Sequence, residues 1–190
     1  MTTQEKTAAL VVIAKEIAES PIYPGTTNPV PGEGNPDANI VFVGEAPGFH
    51  EDKQGRPFVG AAGQFFDEML KSINLDRRDV FITNVVKYRP PSNRDPEKSE
   101  IVASYGYLKR QIEIINPKII VTLGRHSMGV FLSSVGTIST VHGRAFRKPD
   151  GRIYVPFFHP AAGLHQTSLK STIETDFKKL PKIIELIKNS

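Results

Sequence analysis

The chain has 190 residues, 39% hydrophobic and 23% charged, a size and balance that suit a single domain, residues 1–190, with a sizeable core. Its lack of cysteine excludes disulfides, thiolate metal sites and cysteine nucleophiles, and its net charge of +4 is compatible with a polyanionic partner without demanding one. No apolar run approaches a membrane span, and the start, Met1-Thr2-Thr3-Gln4-Glu5-Lys6, lacks the basic-then-apolar layout of a secretion signal, so a cytoplasmic protein is expected.

Leu10, Ile13, Ala14 and Ile17 recur at helical spacing and predict an amphipathic helix over Thr7–Glu19. From Ser20 to Asp37, proline and glycine crowd into a loop. Asn39–Val43 is a short buried strand that ends in Gly44-Glu45-Ala46-Pro47-Gly48, a turn carrying a carboxylate. A second turn, Gly55-Arg56-Pro57-Phe58-Val59-Gly60, leads into a helix over Gly60–Ile73 with Phe65, Phe66, Met69 and Leu70 inward. Asp79–Val86 is a second strand, followed by a basic, proline-rich loop from Lys87 to Pro96. Glu97–Ile115 fits a long helix, Pro117–Gly124 a third strand and Arg125–Leu132 another helix. Ser133–Gly151 is rich in turns, Arg152–Phe158 is a fourth strand running into His159-Pro160-Ala161-Ala162, and Ser168–Lys188 is a basic amphipathic helix.

Continuous apolar strands separated by helices indicate an α/β fold with a parallel sheet covered on both faces. Ligands bind such sheets outside the carboxyl ends of the strands. Glu45, Asn84, Gly124, Arg125 and His159 all fall there, which points to one shared site. Taken singly, each residue has an ordinary structural reading as well. Asn84 suits a buried amide closing a strand, Phe58 suits core, and His159 before Pro160 suits a turn histidine bonded to backbone. Glu51-Asp52 suits a solvated helix start or a partner for Arg56. His126, His142 and His165 show no metal-ligand spacing.

Together the motifs are far more specific. Gly44-Glu45-Ala46-Pro47-Gly48 with Glu51-Asp52, Gly55-Arg56-Pro57-Phe58-Val59-Gly60 with Ala62-Gly63, Thr83-Asn84-Val85-Val86-Lys87, Arg89-Pro90-Pro91 with Asn93-Arg94, and His159-Pro160-Ala161-Ala162 resemble the family-four uracil-DNA glycosylases. The resemblance spans the chain from about Pro21 to the last helix. It implies a three-layer α/β/α sandwich with a short, mostly parallel four-stranded sheet. It also implies an enzyme that flips uracil out of DNA and hydrolyses its N-glycosidic bond, leaving an abasic site. On that reading Asn84 pairs with O4 and N3–H of uracil, Phe58 covers the base, and His159 donates to O2 as negative charge develops there. Backbone N–H groups of the turn containing Ala46 and Gly48 assist His159. Glu45 positions the attacking water or stabilises the sugar cation, and Glu51 shapes the pocket near uracil C5.

The same resemblance places Leu164 as a wedge for the gap left by the flipped base, with a surface leucine packing against the last helix as the alternative. Lys87, Arg89, Arg94, Arg144 and Lys170 are the candidate phosphate contacts, and Lys178, Lys179 and Lys182 the solvated face of the last helix. The partner is uracil-containing DNA, single- or double-stranded, bound by a monomer with no metal at the catalytic residues. A catalytically weak uracil-binding relative, and a glycosylase for hypoxanthine or xanthine, are the alternative functions.

One departure stands out. The family holds a four-iron, four-sulfur cluster on four cysteines, whose positions map to Ile17, Ser20, Tyr88 and Ser104. None supplies a thiolate, so a cluster-free protein is expected, with Ile17, Tyr23, Tyr88, Tyr105 and Tyr107 filling the space. The loop from Arg89 to Pro96 contains no histidine, so covalent capture of the sugar, as in a cross-linking relative, is not expected.

Overall fold

A computed structural model describes residues 1–23 and 28–188. Residues 24–27 of the proline- and glycine-rich loop lie outside the described residues. The apolar runs form the central strands, β2 (Ile40–Gly44), β3 (Phe81–Asn84), β4 (Ile119–Leu123) and β6 (Ile153–Phe157), and every residue in them is buried. These four are mutually parallel. The sheet nevertheless has six strands, in the order β1-β3-β2-β4-β6-β5. The expected four-stranded sheet is corrected by two antiparallel edge strands of two residues each, β1 (Glu33–Gly34) and β5 (Phe146–Arg147). Neither is long enough to show a period in sequence, and both come from stretches read as loop.

Side chains alternate across the pleat, so each strand feeds two cores. Ile40 and Phe42 point into one with Val121, Val155 and Phe157, and are covered there by α3 (Ala61–Ser72), α8 (Thr167–Phe177) and α9 (Leu180–Lys188). Val41 and Val43 point into the other with Ile120 and Tyr154, under α1 (Thr3–Glu19), α4 (Lys98–Ile115) and α5 (Arg125–Phe131). The result is the α/β/α sandwich. The last helix, expected unbroken over Ser168–Lys188, is two helices, because Pro181 has no N–H to offer the carbonyl of Phe177. Buried Phe177 and Leu180 flank the break. None of the helices among the described residues is long and apolar enough to cross a membrane.

The four positions mapped to cluster ligands do not fit a metal cluster. Ile17, Tyr88 and Ser104 are buried in packed protein, and Tyr88 Oη donates to the Ile17 carbonyl at 2.6 Å. Tyr23 and Tyr88 belong to the same hydrophobic cluster, against which Tyr107 packs. Tyr105 does not fill the space as expected, because it lies on the outward face of α4 and is exposed. Ser20 is exposed as well. With no cysteine in the chain, no cysteine-ligated cluster is held. The segments such a cluster would join are tied by ordinary bonds instead. Val30 N–H donates to the Lys87 carbonyl at 2.8 Å, and the Arg94 guanidinium lies 5.9 Å from the Tyr23 ring centroid.

Candidate active site

The carboxyl ends of β2, β3 and β6 open onto a cavity of about 340 Å³. Glu45, Ala46, Gly48, Glu51, Phe58, Asn84 and His159 all line it, so the residues proposed for catalysis and base recognition converge as expected. Arg94 and Asp95 reach its edge from the loop after β3.

Asn84 is the last residue of β3 and 2% exposed, and its Oδ1 is buried with no hydrogen-bond partner among the described residues. A buried amide oxygen without a partner costs about 1–3 kcal/mol. Gly44, at the parallel position of β2, makes room for it. A Cβ there would collide with Asn84 Oδ1 and with the Phe58 ring.

Phe58 is 5% exposed and has φ +52°, a left-handed backbone that a bulky residue adopts only under constraint. The constraint comes from Arg77, whose guanidinium donates to the Phe58 carbonyl at 3.0 Å and to the Pro57 carbonyl at 2.6 Å. The same group is anchored by Glu33 and Asp67. Gly63 is required here too, because any Cβ would strike the Phe58 carbonyl. Sequence reasoning missed Arg77, since about twenty residues separate it from the turn and no local pattern marks it. Replacing Arg77 with methionine is expected to lower stability by about 2 kcal/mol, because two backbone carbonyls and Asp67 lose their donor while Glu33 keeps only Arg56. A urea midpoint equal to that of the parent protein would remove Arg77 from this role.

Glu51 braces the two turns. Its Oε1 accepts from Val59 N–H at 2.8 Å and Gly60 N–H at 2.9 Å, and its Oε2 accepts from Gly48 N–H at 3.2 Å. The Gly48 N–H is therefore engaged by a carboxylate and is not a spare donor of the first turn.

His159 caps α7 (Pro160–His165), and its Nδ1 accepts from the Ala161 N–H at 3.2 Å. Nε2 is then the nitrogen that carries the proton. Burial pushes the imidazole down to about 4, opposed by the nearby Glu51 charge, so the ring is neutral and a donor at physiological pH. It stacks on Phe58 with centroids 5.5 Å apart and planes 27° off parallel.

Glu45 is half-buried, and its Oε1 accepts from His126 N–H at 2.9 Å. Burial raises its pKa and the His126 N–H partly offsets this. Gly124, at φ +97°, leaves space for the carboxylate. Glu45, Asp95 and His126 offer ligand atoms within 4.8 Å of one another, a grouping invisible in a sequence where they lie far apart. Asp95 is also paired with Arg125, and of the trio Glu45 and Asp95 line the cavity.

The proposed DNA contacts fare unevenly. Lys87 is corrected: it is 1% exposed, enclosed by protein acceptors, and unable to reach a phosphate. Arg89 donates to Asn93 Oδ1 at 2.6 Å, with its guanidinium 5.1 Å from the exposed Phe49 ring. Arg94 is committed to Glu100 through two hydrogen bonds. Leu164 is 46% exposed on α7. Lys170 packs beside that helix, its Nζ 5.5 Å from the Phe65 ring centroid. Arg144 is exposed near Phe146. Of the histidines, His142 bonds to buried Asp176 at 2.6 Å, a local packing role.

Comparison with known proteins agrees with this geometry. Residues 31–181 match the model of the uracil DNA glycosylase superfamily. The type-4 uracil-DNA glycosylase of Sulfurisphaera tokodaii is 54% identical over 165 residues, 83% of this chain and 75% of that protein. Those of Archaeoglobus fulgidus and Saccharolobus solfataricus are 48% and 46% identical, each over 83% of this chain and over 82% and 76% of their own lengths. A match over most of the chain, with the motif residues gathered around one cavity, makes this chain a member of the uracil DNA glycosylase superfamily.

Proposed function

We propose that the protein is a monofunctional uracil-DNA glycosylase, a base-excision repair enzyme that hydrolyses the N-glycosidic bond of uracil flipped from DNA. The observation that carries this reading is the buried, unpartnered Oδ1 of Asn84, set in the same cavity as Glu45, Phe58 and His159. An amide offers one acceptor and one donor side by side, the complement of N3–H and O4 of uracil, and cytosine presents the opposite pair.

Phe58 stacks on the base, held in its strained turn by Arg77 and Gly63. His159 Nε2–H donates to O2. The C1′–N1 bond breaks, its electron pair passes to the base, and charge on O2 strengthens the His159 hydrogen bond. Glu45 accepts a proton from the water that attacks C1′, a task for which its raised pKa suits it. The Ala46 N–H takes the backbone-donor role of the first turn. Glu51 acts by locking both turns, which keeps the pocket too narrow at C5 for the methyl of thymine. Arg89, Leu164 and Lys170 frame the DNA-binding rim, with Arg144 and Arg94 contributing less. The enzyme works as a single-domain monomer inside the cell and without a cofactor, a reading supported by packed protein where the iron–sulfur ligands would stand.

The test is purified protein with single-stranded and duplex oligonucleotides containing uracil, hypoxanthine or xanthine, followed by alkaline cleavage. Scission at uracil is expected, and an intact strand there would refute the proposal. Glu45→Gln is expected to slow excision roughly 100-fold in single turnover while DNA binding is kept. An unchanged rate would take Glu45 out of the water-activating role.

A further inference from the structure

Lys87 turns back beneath β3, and its Nζ donates at 2.7 Å to the Asn84 carbonyl, to Thr83 Oγ1 and to Gln111 Oε1. Three acceptors match the three N–H bonds of an ammonium, whereas a neutral amine would turn its lone pair on one of them. Among the described residues its partners are a hydroxyl, a carbonyl and an amide rather than a carboxylate, and burial draws its pKa down to about 7. A desolvated charge without a counter-ion is costly, and surface duties do not account for one that solvent cannot reach. It lies directly behind the residue that reads the base.

The reaction gives that position a use. When the glycosidic bond breaks, the electron pair entering the base spreads over O2 and O4. His159 meets the O2 side, while the O4 side faces Asn84 and, behind it, the ammonium. We propose that Lys87 is a positioning residue, holding Asn84 by its backbone carbonyl and stabilising the departing uracil anion from the O4 side. This rests on the uracil-excision reading above. In a water-poor interior the protonated amine acts over several ångströms and needs no reorganisation as the anion forms, and with its pKa drawn down to about 7 this contribution fades as pH rises above that value.

The test compares two leaving groups. 5-Fluorouracil forms a more stable anion than uracil and depends less on help from the protein. Single-turnover excision of both bases is measured with the parent enzyme, Lys87→Met and Gln111→Glu. The second variant sets a carboxylate against the ammonium and cancels its charge without removing the side chain, and Thr83 still donates to the Pro31 carbonyl that Gln111 also serves. In both variants uracil excision is expected to fall on the order of tenfold and 5-fluorouracil excision only about threefold. Binding of an oligonucleotide with a non-cleavable uridine analogue is expected to hold. Equal losses on the two bases, or a loss confined to binding, would overturn the proposal and leave Lys87 a structural residue. If Lys87→Met does not melt cooperatively, the Gln111→Glu ratio decides alone. Failure of the parent enzyme to excise uracil would instead strike the functional reading, so the two failures are distinguishable.

Discussion

His159→Ala is expected to slow single-turnover excision of uracil by about 10²–10³-fold and to leave the affinity for uracil-containing DNA within a few-fold of the parent. The asymmetry follows from when the hydrogen bond matters. On the proposed mechanism, uracil O2 is a neutral carbonyl in the ground state and the His159 contact is an ordinary one. As the C1′–N1 bond lengthens, O2 gains charge and the same donor counts for much more. The Ala161 N–H holds Nδ1 as acceptor and so keeps the proton on Nε2. The pH dependence has a definite sign. The folded imidazole titrates at about 4, below the 6.5 of a free histidine, so the unfolded chain binds more protons between those values. Stability from this group is full above pH 6.5 and is lost as pH falls toward 4, where protonation also charges the ring. No loss of excision rate from His159 is therefore expected as pH falls through 6.5, and a fall at lower pH belongs to protonation of Glu45, whose pKa burial raises. A parent rate that halves near pH 6.5, with the fold intact by circular dichroism, would contradict the neutral-donor assignment.

Asn84→Asp is expected to lower uracil excision by roughly 100-fold or more and to narrow the preference for uracil over cytosine. A carboxylate has two acceptors where the amide has one acceptor and one donor. Uracil O4 then faces an acceptor, while the N4 amino group of cytosine gains a partner. Because Asn84 is 2% exposed and Gly44 lies close against its Oδ1, neither partner can tilt to escape the mismatch. The measurement is alkaline cleavage of matched oligonucleotides carrying uracil or cytosine opposite guanine. A ratio of rates that does not move would show that Asn84 does not read the base.

Much of the site was legible because its chemistry sits at strand ends, and strand ends are marked where continuous apolar runs stop. Glu45, Asn84 and His159 were found that way, with Phe58 in a turn beside them. The two edge strands were not legible, since two residues carry no period. The break at Pro181 was visible as a residue but was read through as one helix. Lys87 shows the limit most clearly. In sequence it opens a basic, proline-rich loop and suggests a phosphate contact, yet Gln111, on a helix more than twenty residues later, provides the acceptor that draws it inward.

The amino-acid sequence by itself determined the sandwich, the family and the identity of the motif residues that line the cavity, because apolar period and motif spacing are local properties of the chain. It also determined that no cysteine-ligated cluster is held, since the chain has no cysteine. Only the tertiary structure decided what fills that space, which carbonyls Arg77 grips, how Glu51 locks two turns together and where the Lys87 charge lies. Each of these depends on partners brought together across the fold, and a buried polar group is assigned its role by whichever partner satisfies it.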